Sequence, residues 1–350
     1  MTKRVAFAVP GDMATLTGGY AYDRRIVAEL RRLGWDVELV GLGGGFPKPD
    51  ALQKAVAQAR LLAAPMDRPI VIDGLALGVL PEAAVALHPD RRVVALIHHP
   101  LALETGLARH EAERLYASES AALAATRLVI VTSDFTADLL ISRYGVSPAR
   151  IEVIAPGTDR VPLSAGSGGH ELRLISVGAI VPRKGFDILV EALAQLTHLA
   201  WRLTIVGDRG RDPAAVARLD ALIGCHGLED RIESPGTVSP ERLDALYAEA
   251  DLFVLASHFE GYGMAYAEAI AHGLPIVGTT GGAIAQTVPA CAGRLVSPGD
   301  VGALVEALRD VIGNDASRCA LAAGARAAAA ALPTWTESGV RFGCVLERLT

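Results

Sequence analysis

The chain has 350 residues, with 33 Lys and Arg against 39 Asp and Glu, a formal charge of −6. That acidic balance excludes the basic footprint of a general nucleic-acid binder, and 51% hydrophobic against 21% charged residues excludes extended disorder. No run approaches the ~18 uninterrupted apolar residues of a membrane span. The start, Met1-Thr2-Lys3-Arg4 before a short apolar stretch ending at Pro10, lacks the long apolar region of a secretory leader, so the expected compartment is the cytoplasm.

Short apolar, β-branched runs alternate with longer helical patterns. Strands are predicted at Val5–Val9, Val37–Leu42, Ile70–Ile72, Val93–Ile97 and Leu128–Val131. A second set follows at Leu172–Val177, Leu203–Val206, Leu252–Leu255 and Ile276–Gly278. These runs are apolar throughout rather than alternating, which fits parallel strands covered by helices on both faces. Helices are predicted at Asp23–Leu33, Glu104–Ala125, Lys184–Leu196 and Pro240–Ala250, with an alanine-rich helical tail beyond Ala316 and an amphipathic stretch from Trp335 to Leu349. The repeated order implies a doubly wound α/β sheet. It is interrupted at Ala155–Glu171, rich in Pro, Gly and Ser, which reads as a linker. The predicted division is two Rossmann-like lobes, 1–160 and 161–332, with 333–350 a helix returning to the first lobe. Such lobes bind ligands beyond the carboxyl ends of their strands, here in a cleft the two would share.

The candidate chemistry follows the same order. Thr17-Gly18-Gly19-Tyr20 lies between a strand and a helix, where glycines bring backbone N–H groups close to a phosphate; an ordinary turn explains it equally well. Gly41-Leu42-Gly43-Gly44-Gly45-Phe46 is no dinucleotide fingerprint, because Phe46 replaces the last glycine and Pro47-Lys48-Pro49 opposes a following helix. His98-His99 ends a strand, where one histidine can donate to a sugar hydroxyl or phosphate, or move a proton. Arg183-Lys184 opens a predicted helix, where two cations oppose the helix dipole unless an anion such as a diphosphate meets them. Glu260 precedes Gly261-Tyr262-Gly263-Met264, and Glu268 follows eight residues after Glu260, about two helical turns on. Both carboxylates can therefore reach one ligand. Cys225, Cys291, Cys319 and Cys344 form no CxxC pair and have no histidine at zinc spacing, so they read as structural thiols, buried or partly exposed.

The Glu260…Glu268 spacing resembles the E-x7-E pattern of family 4 retaining glycosyltransferases, which have the two-lobed GT-B fold. The Gly-Gly loop, the histidine, VGAIVPRKG and EGYGMAYAEAIAHGLPIVGT occur in that family's order. The resemblance covers nearly the whole chain, more loosely before residue 90. It implies a retaining transfer from a UDP- or GDP-linked sugar to an acceptor hydroxyl. It assigns His98 (rather than His99), Arg183, Lys184 and Glu260 to catalysis, with Arg183 and Lys184 on the donor diphosphate and Glu260 on the sugar. It assigns Gly18, Gly19, Val238, Gly261, Tyr262, Gly263, Met264 and Glu268 to donor binding, with Glu268 on the ribose. No cofactor or metal is expected, since no Asp-x-Asp stands in a metal-binding context. The partner is the nucleotide sugar, with the acceptor undefined. Arg24, Arg25, Arg31 and Arg32 would serve weak peripheral contact with a membrane or simply a solvated helix face. The alternatives are a GT-B epimerase or phosphorylase, and a non-catalytic nucleotide-sugar binder.

Overall fold

The computed structural model describes residues 3–15, 17–88 and 91–349; Met1 and Thr2, which open the segment weighed above as a leader, lie outside that description. The chain divides into two units. Unit 1 is Met1–Gly157 with Pro333–Thr350, and unit 2 is Thr158–Leu332. Each is built on one six-stranded sheet whose paired strands are parallel. Unit 1 holds β1 (Arg4–Val9), β2 (Asp36–Gly41), β3 (Ile70–Asp73), β4 (Val93–Ile97), β5 (Leu128–Val131) and β6 (Ile151–Val153), in the order β2-β1-β3-β4-β5-β6. Unit 2 holds β7 (Leu172–Val177), β8 (Trp201–Val206), β9 (Ile232–Gly236), β10 (Leu252–Val254), β11 (Ile276–Thr279) and β12 (Gly293–Val296), in the order β12-β11-β10-β7-β8-β9. Central strands are buried on both faces, as Val93–Ile97 and Val129–Val131 show, and that double burial is what their unbroken apolar runs require.

The sequence reading missed β6, β9 and β12. All three are sheet edges. Edge strands are half-solvated and tolerate polar residues and proline. Ile232–Gly236, with the sequence IESPG, carries both. Helices also start elsewhere than expected. The first begins at Gly18, because Thr17 caps it by accepting from the Tyr20 amide. The helix expected from Glu104 begins at Arg109 and runs to Ala124, and a short turn, Leu101–Leu103, precedes Glu104. The buried Glu119 carboxylate accepts from the amides of Leu101 (2.5 Å) and Ala102 (3.0 Å), which fixes that turn. Ala155–Glu171 has no regular structure but is not loose: Ser164 Oγ donates to the carbonyls of Ala248 and Ala250.

The helix Trp335–Glu347 belongs to unit 1. A capping box between Thr334 and Glu337 starts it. Phe342, fully buried, meets Phe7 of β1 at 6.3 Å between ring centroids. Ser338 and Arg341 donate to the carbonyls of Ala155 and Val153. Among the described residues, no helix is long and apolar enough to cross a membrane. Phe342→Ala is expected to destabilise unit 1 by about 3–5 kcal/mol, as a cavity in a packed core does, against about 1 kcal/mol for Thr334→Ala, which removes only a cap. Denaturant unfolding of the two variants measures the difference.

Candidate functional site

In a doubly wound sheet, ligands lie where strand order reverses. In unit 2 that point falls between β7 and its neighbour β10. The loop after β7 carries Arg183 and Lys184, and the loop after β10 carries Glu260. A Cβ at Gly178 would stand 2.9 Å from Cε of Lys184, so the missing side chain lets the lysine fold back over the strand end. Gly185 has φ +61°, and a Cβ there would stand 2.1 Å from the Ala256 carbonyl oxygen. Only glycine allows both, and the two loops are locked together. The His258 amide adds a bond to the Arg183 carbonyl at 2.8 Å. Arg183 and Lys184 therefore sit in a short turn, Pro182–Lys184, and the helix Phe186–Ala194 begins after them. This corrects the expectation that they open the helix.

Their charge is met inside the protein. Glu260, 7% exposed, takes Lys184 Nζ (2.7 Å) and Ser257 Oγ (2.7 Å) on Oε1, and Arg183 Nη1 (3.1 Å) on Oε2. Burial alone would raise the Glu260 pKa, but the charges of Lys184 and Arg183 and the bonds from Lys184 and Ser257 hold it at about 2. Burial lowers the Lys184 pKa, against the pull of Glu260. Two cations thus meet on one carboxylate. Glu268, on the helix Met264–Ala271, sits differently. Burial pushes it up to about 7, against the lowering effects of a hydrogen bond from Tyr247 and the charge of Lys184. Tyr247 donates to Oε2 at 3.2 Å and stacks on His272 at 4.9 Å.

Gly261, Tyr262 and Gly263 link Glu260 to that helix, of which Met264 is the first residue. Thr287 donates to the Tyr262 carbonyl. The Glu260 backbone is pinned by the Gly281 carbonyl (3.2 Å) and the Ala283 amide (2.9 Å). Val238 stands apart: it follows the edge strand β9, two strands from β7, and packs on the unit's apolar core. Sequence reasoning missed Ser257, Tyr247 and the Gly281-Gly282 turn. Ser257, three residues before Glu260 in the same loop, was the findable one.

Unit 1 repeats the logic. Its order reverses between β1 and β3. Gly18 and Gly19 open the helix after β1, and a Cβ on Gly19 would stand 3.2 Å from Cδ2 of His98, which follows β4. His98 Nε2 lies 3.2 Å from Oδ1 of Asp23 and 3.6 Å from Oδ2 of Asp73. Both carboxylates are buried. Neither was singled out in the sequence, where nothing marks a lone aspartate as buried. Among the described residues this is the one grouping with metal-ligand spacing, its three ligand atoms within 4.8 Å of one another. His99 turns to Glu104 at 3.4 Å.

The arginines of the first helix have partners within unit 1. Arg24 donates to the carbonyls of Met13 and Thr15, Arg25 lies over the Trp335 ring at 5.1 Å, Arg31 donates to Val37, and Arg32 pairs with Glu29. All four cysteines are free and exposed, none buried as their apolar character had allowed. A groove of about 460 Å³ lined in part by Arg127, Arg150 and Arg348 lies at the amino ends of β5 and β6, away from the strand ends that carry the candidates.

The opposite environments of Glu260 and Glu268 give a test. A carboxylate whose folded pKa exceeds its unfolded value costs stability once the unfolded chain ionises, an effect complete above the folded pKa. Glu268→Gln is therefore expected to raise the thermal midpoint at about pH 8 and to leave it nearly unchanged at about pH 4. Glu260 works in the other direction. Its stabilisation is present above its unfolded pKa and is lost as pH falls toward about 2. Melting curves of the wild type and Glu268→Gln across that range measure both.

Comparison with known proteins places this geometry. The family description "Glycosyl transferases group 1" matches residues 164–328, and "Glycosyltransferase Family 4" matches residues 21–161. A D-inositol 3-phosphate glycosyltransferase from Xylanimonas cellulosilytica is 32% identical over 60% of this chain and 54% of its own length. The chain thus spans about half the length of such curated relatives. Sucrose-phosphate synthase from Thermosynechococcus elongatus superposes with a TM-score of 0.84 at 22% identity, over 99% of both chains. HepE from Anabaena, solved with UDP and glucose, superposes with a TM-score of 0.80 at 20% identity, over 98% of this chain and 99% of that one. The two sheets are the two lobes of a GT-B fold, and the chain belongs to the family 4 glycosyltransferases.

Proposed function

We propose that this chain transfers a sugar, with retention of anomeric configuration, from a nucleotide-diphosphate sugar to an acceptor hydroxyl. The observation that carries the reading is the pair of cations in unit 2: Arg183 and Lys184, in the loop after β7, are held side by side on the carboxylate of Glu260. A diphosphate accepts a forked arginine contact and a lysine point charge. The two cations then supply the charge that a metal supplies elsewhere, and the transfer needs none. HepE, solved with UDP and glucose, makes a UDP-sugar the first donor to test, with GDP-sugars beside it. The names of the inositol-phosphate and sucrose-phosphate relatives put small phosphorylated polyols first among acceptors.

In the proposed step the acceptor oxygen bonds to the anomeric carbon on the face that the diphosphate leaves. The departing phosphate oxygen takes the acceptor's proton, so no separate base is needed. Arg183 and Lys184 stabilise charge as it builds on the leaving group, where preorganised cations lower a barrier most. Glu260, fully ionised, keeps both cations in place and offers an acceptor to sugar hydroxyls. Glu268, held by Tyr247, offers another to the ribose.

Lys184→Ala is expected to lower turnover by at least about 100-fold, the scale of losing one transition-state donor, with an unchanged far-ultraviolet circular dichroism spectrum. A panel of UDP- and GDP-sugars, scored by donor hydrolysis and thermal shift with chelator present, checks both parts. Near wild-type turnover in Lys184→Ala contradicts its role. A panel in which no nucleotide sugar shifts the midpoint contradicts the donor reading.

A further inference from the structure

His98 is usable chemically in two opposite ways, as a neutral base or as a fixed cation, and its surroundings select one. The ring faces Asp23 from the helix Gly18–Arg32 and Asp73 from the end of β3. Asp23 has no exposed surface and Asp73 keeps 2%. The Tyr22 ring meets the imidazole edge-on at 5.3 Å, and its hydroxyl donates to the Ile154 carbonyl; the charge of Arg341 also reaches Tyr22. His99 faces away, toward Glu104 at 3.4 Å. Two buried carboxylates therefore face one imidazole nitrogen. Oδ2 of Asp23 is buried with no hydrogen-bond partner, which makes that carboxylate costly to ionise without a cation beside it.

We infer that Asp23 and Asp73 are positioning residues that hold His98 as an imidazolium, its Nε2–H shared between them, so that the side chain acts as a constant hydrogen-bond donor through Nδ1 and not as a general base. Nδ1 is the ring atom left over. Nε2 is engaged by the two carboxylates, and the side chain keeps 22% of its surface exposed. The ligand it suits is an oxygen acceptor, such as a sugar hydroxyl, at the carboxyl ends of β3 and β4. The ionisation agrees: burial alone would lower the His98 pKa, but the bonds and charges of Asp23 and Asp73 carry it to about 10. Asp23 itself is raised to about 7 by burial and by Asp73, the mark of two acids crowding one cation. The use of Nδ1 rests on the transferase reading; the ionisation does not.

The test reads the ring directly. In protein labelled with ¹⁵N on its histidine side chains, the His98 signals are identified by their loss in His98→Gln. Both ring nitrogens are expected to keep imidazolium shifts up to at least about pH 8.5, whereas a free histidine titrates near about 6.5. Asp73→Asn keeps the acceptor that caps the Leu75 amide, and it is expected to lower the His98 midpoint by at least about one pH unit with the other histidines unmoved. Asp23→Asn provides a second variant, and thermal melting confirms that each is folded. A wild-type His98 that titrates at or below about 6.5 overturns the inference, as does an Asp73→Asn protein with an unmoved midpoint. Displacement of the imidazolium signals by added Zn²⁺ or Mg²⁺ overturns it as well. An imidazolium that behaves as expected in a protein that turns over no donor supports the inference and counts against the transferase reading alone.

Discussion

Unit 2 is organised around one buried carboxylate. Glu260 holds Lys184 and Arg183 at 2.7 and 3.1 Å, and the surrounding backbone is arranged to keep it there. Gly185 packs on Ala256, His258 bonds Arg183, and Gly281 and Ala283 bracket the Glu260 peptide. A buried ion pair is a poor source of net stability, since removing charges from water offsets most of their attraction. Its value here is geometric. The triad fixes two long, flexible cations at a strand end, so a ligand meets them without ordering them first.

The two glutamates of the E-x7-E spacing show how environment divides identical groups. Glu260 faces two cations and is held far below the carboxylate range, while Glu268 faces a tyrosine and apolar helix and is lifted toward neutrality. The arrangement in unit 1 is the converse. There one cation, His98, stands between two buried acids. Both clusters occupy the place where their sheet reverses strand order, β7 beside β10 and β1 beside β3. The fold supplies such a position in each unit, and the sequence places two cations on one carboxylate in unit 2 and one histidine between two carboxylates in unit 1.

How much of this was readable in advance follows from what each signal depends on. Central strands such as Val93–Ile97 announce themselves, because burial on both faces leaves no polar residue to blur the run. The edges β6, β9 and β12 carry polar residues that solvent tolerates, so composition hides them. Arg183, Lys184, Glu260 and Glu268 were visible as a pattern, but the ion triad was not. The helix-dipole argument looked for an external anion, whereas Glu260, distant in sequence, is already there. Asp23, Asp73 and Tyr247 were invisible for a related reason. Burial and partnership come from tertiary packing, and no local spacing encodes them.

The most direct measurement of the central claim is a crystal structure of this chain with an intact UDP-sugar or GDP-sugar bound. The account predicts diphosphate oxygens within hydrogen-bonding distance of both Arg183 and Lys184, the two cations that Glu260 holds side by side. A donor bound elsewhere, with Arg183 and Lys184 still closed on Glu260 alone, would contradict it.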